Sequence, residues 1–206
     1  MRVATLLTLS YLCGSIPFGV IVGRLLRGVD VRKYGSGNIG FSNVLRVLGP
    51  GPAGIVLVGD ALKGFLPVLA GRALLPRWSV TDLDLALLAV AFEPILGHSF
   101  SIFLRFQGGR AVTTTGGVLL GLCWPAALIS LAVWLLLVGL TRYISVGSIA
   151  AAVSVPIYMI VADKRWEWVA FWSLVAALVI LRHIPNIGRL LARKETRIGQ
   201  KVEPGP

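Results

Sequence analysis

The sequence predicts an all-α integral membrane protein of about seven transmembrane helices, its N-terminus outside and its C-terminus in the cytoplasm. Three observations carry that prediction. Of 206 residues, 56% are hydrophobic, and the mean hydropathy is +0.82. Only 14% are charged, where a soluble domain has ~25%. Those few charges still sum to +11, with 20 Lys and Arg against 9 Asp and Glu. A nucleic-acid binder can be this basic but is not this apolar, so no nucleic-acid partner is expected. A disordered basic tail lacks the aliphatic residues. What remains is a bilayer protein with its cations outside the hydrocarbon.

A hydrocarbon core ~30 Å thick takes about 20 apolar residues per helix. The first span, 3–24, follows Met1-Arg2 and runs past Pro17 without a small-x-small cleavage site, so it reads as a retained helix rather than a signal peptide. The second, 50–75, carries Asp60 and Lys63 inside an apolar run. The third is 82–98. Next comes an uncharged run from Val112 to Leu140, too long for one comfortable crossing, with Pro125 as a possible break. We divide it into 109–122 and 124–141. One tilted helix, two short helices, and a helix with a re-entrant piece all stay open. The last two spans, 144–162 and 166–184, are clear. Frequent glycines favour close helix packing. No internal repeat is visible. Cys13 and Cys123 are too few for a disulfide framework and lack metal-ligand spacing.

Orientation follows from the cations. With seven spans, one set of loops holds 14 of the Lys and Arg residues. The opposite set holds Arg2, Arg72, Arg77, Lys164 and Arg165, and Lys63 lies within a span. The bias puts the C-terminus in the cytoplasm. Six spans would put both termini on one side and move loops against the rule.

Four polar segments then fall at the cytoplasmic face. The first runs from Gly35 through Ser36, Gly37, Asn38, Gly40 and Asn43 to Arg46. Its glycines let backbone N–H groups curl toward an anion, Ser36, Asn38 and Asn43 add neutral donors, and Arg46 supplies a fork that fits phosphate. A flexible loop followed by a capped helix explains the same composition. The second is Asp60-Ala61-Leu62-Lys63-Gly64, whose two charges are three apart and share a helix face. Ionisable groups within a span are costly and mostly functional, although a self-neutralising structural pair also fits. The third runs from Gly97-His98 to Gly108-Gly109-Arg110. His98 is one of two histidines, and the Gly-Gly-Arg corner opens a helix that can bind an anion. Glu93, five residues before His98, is an intramembrane acid for which an arginine partner is conceivable. The fourth, Arg182-His183 to Gly199, places Asn186, Arg189 and Arg193 on one helical face. Arg193, Lys194 and Lys201 read as cations attracted to anionic lipid, at about 1 kcal/mol each near the surface. Asn186 has no such need.

No GxSxG elbow, HExxH or Walker A is present, and no dinucleotide GxGxxG follows a strand. Few carboxylates face inward, so no metal site is expected. Anion cradles, arginines, a lysine and a histidine on one face of an apolar body point to a phosphorylated substrate and a lipid partner.

Taken together and in this order, the four segments resemble the bacterial acyl-phosphate:glycerol-3-phosphate acyltransferase family, of the PlsY type. Gly14-Ser15-Ile16-Pro17-Phe18-Gly19 and Glu195-x-Arg197-Ile198-Gly199 look like that family too. The resemblance covers nearly the whole chain. It implies one transmembrane acyltransferase domain over 1–206, ending in a basic cytoplasmic tail at 187–206, in the bacterial cytoplasmic membrane with the site at the inner face. It implies transfer of a fatty acyl group from acyl-phosphate to the 1-hydroxyl of glycerol 3-phosphate, giving lysophosphatidate and phosphate without metal or cofactor. A mixed anhydride is already activated, so the enzyme need mainly orient two anions and stabilise an oxyanion.

By position, Ser36 and Arg46 match functional residues of the family's first motif, and Asn38, Gly40 and Asn43 its loop, with Gly35 beside them as a further substrate-binding candidate. Asp60, Lys63 and Gly64 match the segment where glycerol 3-phosphate is expected. His98 with Gly108 and Gly109 matches the third motif, where Arg110 keeps the charge of the usual Lys, Asn186 matches the C-terminal asparagine, and Glu195 looks like a structural glutamate. Ser36 fits positioning or nucleophilic roles; we favour positioning, because no base adjoins it in sequence. His98 and the substrate phosphate are both candidate bases. Departures are Phe41-Ser42 for the usual Ala-Thr, Ser101 for Pro, and Arg110-Ala111 for Lys-Gly. Two other readings are a transporter for a phosphorylated solute and a non-catalytic lipid-binding paralogue. Polar groups crowding one face, without repeated halves, speak against the transporter.

Overall fold

The computed structural model describes residues 1–200, so Lys201 and the end of the 187–206 tail lie outside the described residues. The described chain is helical throughout, without strands. It divides into two compact units, Met1–Leu122 and Cys123–Gln200.

The first unit contains α1 (Arg2–Ser15), α2 (Phe18–Arg27), α3 (Phe41–Leu48), α4 (Pro50–Leu74), α5 (Leu83–Ser99) and α6 (Val112–Leu122). The expected 3–24 helix is two helices, α1 and α2, with a 40° bend. Pro17 explains the correction: it has no N–H to donate, and the helix before it stops at Ile16. At the other end of the unit, α6 is shorter than the expected 109–122. The turn before it holds Arg105, Phe106 and Ala111 at positive φ, so helical backbone starts only at Val112. The remaining 11 residues rise about 16 Å, roughly half a bilayer core.

Within lipid, apolar burial gains little, so packing rests on close backbone approach. Glycines provide it. A Cβ on Gly14 would strike the Pro94 backbone, and one on Gly97 would strike Tyr11 O, which locks α1 to α5. Between α4 and α6, Gly64 faces Thr114 O and Gly117 faces Ala61 O in the same reciprocal way. Under the polar loop 28–40, Val20, Val31, Ile39, Val44 and Val56 form an apolar core with Phe41 packed against it.

The second unit contains α7 (Trp124–Thr141), α8 (Ile144–Val161), α9 (Trp166–Arg182) and α10 (Ile184–Leu191). The uncharged Val112–Leu140 run is thus two helices, parted at Cys123 as the spans 109–122 and 124–141 expect. Pro125 lies in the first turn of α7, where a missing N–H costs nothing. Leu128, Leu131, Leu135, Leu136 and Leu140 are exposed along α7, as a lipid-facing helix requires. Trp134 Nε1 donates to Ser148 Oγ at 3.3 Å, tying α7 to α8. A 55° bend separates α9 from α10.

By length and composition, α4, α5, α7 and α8 each suffice to cross a membrane. Counting α1–α2 and α9–α10 as single bent spans gives up to six, and α6 is a seventh, shorter apolar helix. The seven apolar segments read from the sequence are all helical.

Candidate active site

The first loop is organised by one asparagine. Asn43 is buried in the first turn of α3. Its Oδ1 accepts from Ser36 N at 2.8 Å and Ser36 Oγ at 3.2 Å. Its Nδ2 faces the carbonyls of Val31, Tyr34 and Asn38 at 2.9, 3.2 and 2.8 Å. Asn43 is therefore the scaffold of the loop, and the exposed Ser36 hangs from it. Arg46, half-buried, follows three residues later on the same helix face. Asn38 Oδ1 accepts from Gly40 N at 2.9 Å and closes a local turn. Gly35 and Gly37 have φ of 59° and 69°, and a Cβ on Gly35 would fall on Asn43 Oδ1. Asp30 anchors the loop's start by accepting from Arg32 Nη2 at 2.6 Å and Arg32 Nε at 2.9 Å. Those hydrogen bonds, foremost among the causes, hold the Asp30 carboxyl well below the usual carboxylate range.

A buried ionic cluster joins α4 to α5. Asp60 Oδ1 is 2.7 Å from Lys63 Nζ, and both side chains are about 1–2% exposed. Lys63 Nζ also donates at 2.8 Å to Ile16 O, the carbonyl at the Pro17 break, which accepts from Phe18 N as well. It lies 5.8 Å from the centre of the Phe18 ring. One residue earlier, Ser15 O accepts from Ser101 Oγ at 2.6 Å. Ser101, which stands where the resembling family has Pro, thereby closes the end of α1. His98 Nδ1 is 3.6 Å from Asp60 Oδ1 and 3.1 Å from Thr114 Oγ1.

The Gly-Gly-Arg corner differs from the expected anion cradle. Gly108 N donates to Ser99 O at 3.2 Å and Gly109 N to His98 O at 2.9 Å, so both N–H groups close the end of α5. The physical need for glycine is proximity: a Cβ on Gly108 would strike His98 O, and one on Gly109 would strike His98 Nε2. The same Gly109 position is 3.2 Å from Ile39 Cγ1, which joins this corner to the first loop. Gly64, likewise, has a packing role against Thr114 backbone. Ala111 occupies φ 57°, a conformation that favours the glycine usual in the resembling family. Phe41, bulky beside the loop, is accommodated because its ring packs into the apolar core below.

Ser36, Asn38, Gly40, Asn43, Arg46, Asp60, Lys63, His98, Gly108, Gly109 and Arg110 all belong to the first unit, where contacts join Ser36 and Asn38 to Asn43, Asp60 to Lys63 and His98, and Gly109 to His98. Asn186 lies in the second. There its Nδ2 donates to Glu195 Oε1 at 2.6 Å, Ser145 Oγ donates to the same oxygen at 3.0 Å, and Arg189 Nε donates to Oε2 at 2.7 Å. Burial alone raises the Glu195 pKa, but these hydrogen bonds outweigh it and hold the carboxyl below its ordinary value. Arg193 falls beyond α10 at φ 56°, off the face shared by Asn186 and Arg189. Glu93 has no ion pair among the described residues.

A groove of about 720 Å³ runs along α4 beside this cluster, lined by Phe18, Gly54, Val58, Leu62, Lys63 and their neighbours. Among the described residues, no group of three or more His, Cys, Asp or Glu side chains could hold a metal.

The family model described as glycerol-3-phosphate acyltransferase matches residues 4–193. The chain belongs to this family. A glycerol-3-phosphate acyltransferase of Desulforamulus reducens is 43% identical over 192 residues, covering 93% of each chain. One of Moorella thermoacetica, glycerol-3-phosphate acyltransferase 2, is 46% identical over 195 residues, 95% of this chain and 97% of that one. A crystal structure of PlsY, an integral membrane glycerol 3-phosphate acyltransferase, in its glycerol 3-phosphate form superposes with a TM-score of 0.88 at 36% identity. That likeness covers 97% of this chain and 96% of PlsY. The lysophosphatidic acid form gives 0.86 at 35% identity. In this acyltransferase, sequence reasoning overlooked Thr114, the hydroxyl beside His98, and noted Ser101 only as a departure, not as the hydroxyl that donates to Ser15 O. Three successive threonines, 113–115, opening an apolar span were the available signal for the first.

Proposed function

We propose that this chain transfers a fatty acyl group from acyl-phosphate to the 1-hydroxyl of glycerol 3-phosphate, at the inner face of the bacterial cytoplasmic membrane. The observation that carries the reading is the full-length likeness to a PlsY crystallised in glycerol 3-phosphate and lysophosphatidic acid forms. In this reading, residues 1–206 act as one transmembrane acyltransferase domain with a basic tail from residue 187. The tail's arginines and lysines meet anionic lipid, and the acyl chain lies in the apolar groove along α4.

The hydroxyl oxygen forms the new ester bond to the acyl carbon. The bond from that carbon to the phosphate oxygen breaks, its electron pair leaving with phosphate. His98 takes the hydroxyl proton and passes it to the departing phosphate, which leaves as hydrogen phosphate, so charge and atoms balance. Ser36, Asn38, Arg46 and Arg110 hold the two anionic substrates and the developing oxyanion. Asn43, Asp60, Lys63, Gly64, Gly108 and Gly109 keep that constellation in shape. Because the anhydride is activated beforehand, orientation and charge stabilisation are the protein's main contributions.

The test is phosphate release by purified protein with acyl-phosphate, acyl-CoA or acyl-carrier protein as donor, each with and without glycerol 3-phosphate. Release should require both acyl-phosphate and glycerol 3-phosphate. Ser36→Ala and Arg46→Ala should abolish it while the protein stays helical and monodisperse. Full activity in both variants defeats the site assignment; preference for a thioester donor defeats the assigned donor.

A further inference from the structure

We propose that Gly54 sets which acyl chains the enzyme accepts, its missing side chain leaving room along α4 for the apolar chain of the acyl donor. The proposal deepens the acyl-transfer reading above and rests on it. On the α4 side the groove is lined by Gly51, Gly54, Val58, Leu62 and Leu66, which recur every three or four residues and share one face. From Gly51 to Leu66 that face runs about 22 Å, room for a long fatty acyl chain. Val58, Leu62 and Leu66 are exposed, so the groove opens toward lipid. Among the described lining residues only Lys63 is charged, and its Nζ is held by Asp60 and Ile16 O, which leaves its apolar stem to the wall.

Glycine inside a helix is less favourable than alanine, so each glycine within α4 needs a reason. Three have one in packing. A Cβ on Gly59 would lie 2.6 Å from the Phe18 ring, one on Gly64 would strike Thr114 O, and one on Gly71 would lie 2.9 Å from Leu87 Cδ1. Gly54 has no such neighbour: a Cβ there meets no atom within 4 Å. The open space beside it is the groove. Its place on the helix names the occupant. Ala53 and Val56, on the other side of the same turn, belong to the apolar core under the polar loop, together with Val44, the residue after Asn43. Helix α4 begins at Pro50, directly after α3, which carries Arg46. The Gly51 end of the groove thus adjoins the elements that support the anion loop, and the Leu66 end lies further along the span. An anionic head at the loop with an apolar chain along α4 is the outline of an acyl-phosphate. The occupant is therefore the donor's chain rather than a bilayer lipid.

The test uses the full chain in lipid nanodiscs as wild type, Gly54→Ala, Gly54→Leu and Gly116→Leu. Gly116, on α6, is equally open at its Cβ position and is not part of the groove lining. The kcat/KM is measured with butyryl, lauroyl and palmitoyl phosphate at saturating glycerol 3-phosphate. The palmitoyl-to-butyryl ratio should fall about tenfold or more in Gly54→Leu, the scale on which an apolar pocket rejects a misfitting chain. It should fall less in Gly54→Ala and keep its wild-type value in Gly116→Leu. Gly54→Ala should unfold at or above the wild-type midpoint, because nothing packs on that position; a clearly lower midpoint overturns the proposal. An unchanged ratio in Gly54→Leu, or an equal fall in Gly116→Leu, overturns it too. If Gly54→Leu does not fold, Gly54→Ala decides alone. Photolabelling by hexadecyl phosphate with a diazirine in its chain gives a readout apart from turnover. Adducts on Val58, Leu62 and Leu66 should form in wild type, be competed by unlabelled hexadecyl phosphate, and weaken in Gly54→Leu. Labelling that resists competition assigns the groove to bulk lipid and overturns the proposal. If wild type transfers no acyl group from any donor, the functional reading fails by itself, and the labelling still decides what the groove holds.

Discussion

Gly64 separates two explanations of the same residue, and the α4–α6 contact says what replacing it must cost. As a substrate-binding glycine, Gly64→Ala would raise KM and leave stability alone. As a packing glycine it must destabilise. A Cβ at Gly64 would overlap Thr114 O and lie 3.0 Å from Thr114 C and 3.1 Å from Val118 N, all backbone atoms that no rotamer change can move. Gly117 is the mirror case, overlapping Ala61 O and lying 2.8 Å from Ala61 C. Forcing a methyl into such a contact costs about 1–3 kcal/mol. Gly117→Ala should therefore destabilise as much as Gly64→Ala, although no substrate role is assigned to it. The double variant should cost less than the sum, because the first methyl already parts the helices that the second would part. Thermal unfolding in one detergent, read by helical circular dichroism, supplies the midpoints for wild type, both single variants and the double. A Gly64→Ala protein with the wild-type midpoint and a raised KM would refute the packing account.

Two further predictions rest on single residues. Glu195 has its carboxyl pKa held below the unfolded value, so its contribution to stability is fully present above that value, near pH 4.3, and is lost as pH falls through the lower folded value. Acid titration of the unfolding midpoint should accordingly show a fall below about pH 4.3 that Glu195→Gln abolishes; an unchanged acid limb in the variant would contradict the assignment. Ala111→Gly should relieve the left-handed backbone at φ 57°, worth about 1–2 kcal/mol, against an entropic cost of about 0.5–1 kcal/mol. The expected result is a slightly higher unfolding midpoint, and a clear fall would show that Ala111 is unstrained.

The sequence made the helical class, the seven apolar segments and the Asp60–Lys63 pairing legible, because each is a matter of local spacing. What it hid was tertiary. Pro17 could be read as a tolerated residue within one long helix, and only the packed structure shows its neighbour's carbonyl receiving Lys63. Pro125 looked like a break, yet proline in a first turn is helix-compatible, and the chain parts two residues earlier. Glycines at 108 and 109 read as anion binders because glycine liberates N–H groups; here those groups are spent on the end of α5, and it is the missing side chains that matter. Asn43 looked like one donor among several and proved to be the scaffold of its loop, a role that depends on three carbonyls from residues 31, 34 and 38.

The lysine that ends on the Ile16 carbonyl also bears on how the chain is made. Synthesis proceeds from the N-terminus, so the bend at Pro17, with the Ile16 carbonyl, enters the bilayer before α4 emerges. When α4 follows, Asp60 travels with Lys63 three residues away, and the pair can leave the insertion machinery close to neutral. A lysine alone at a helix centre carries an insertion cost of about 2.5–3.5 kcal/mol. Order of arrival is thus written into the spacing: the acceptor first, then the cation with its own escort. Straightening the first helix to stiffen the protein would leave that cation without its second partner.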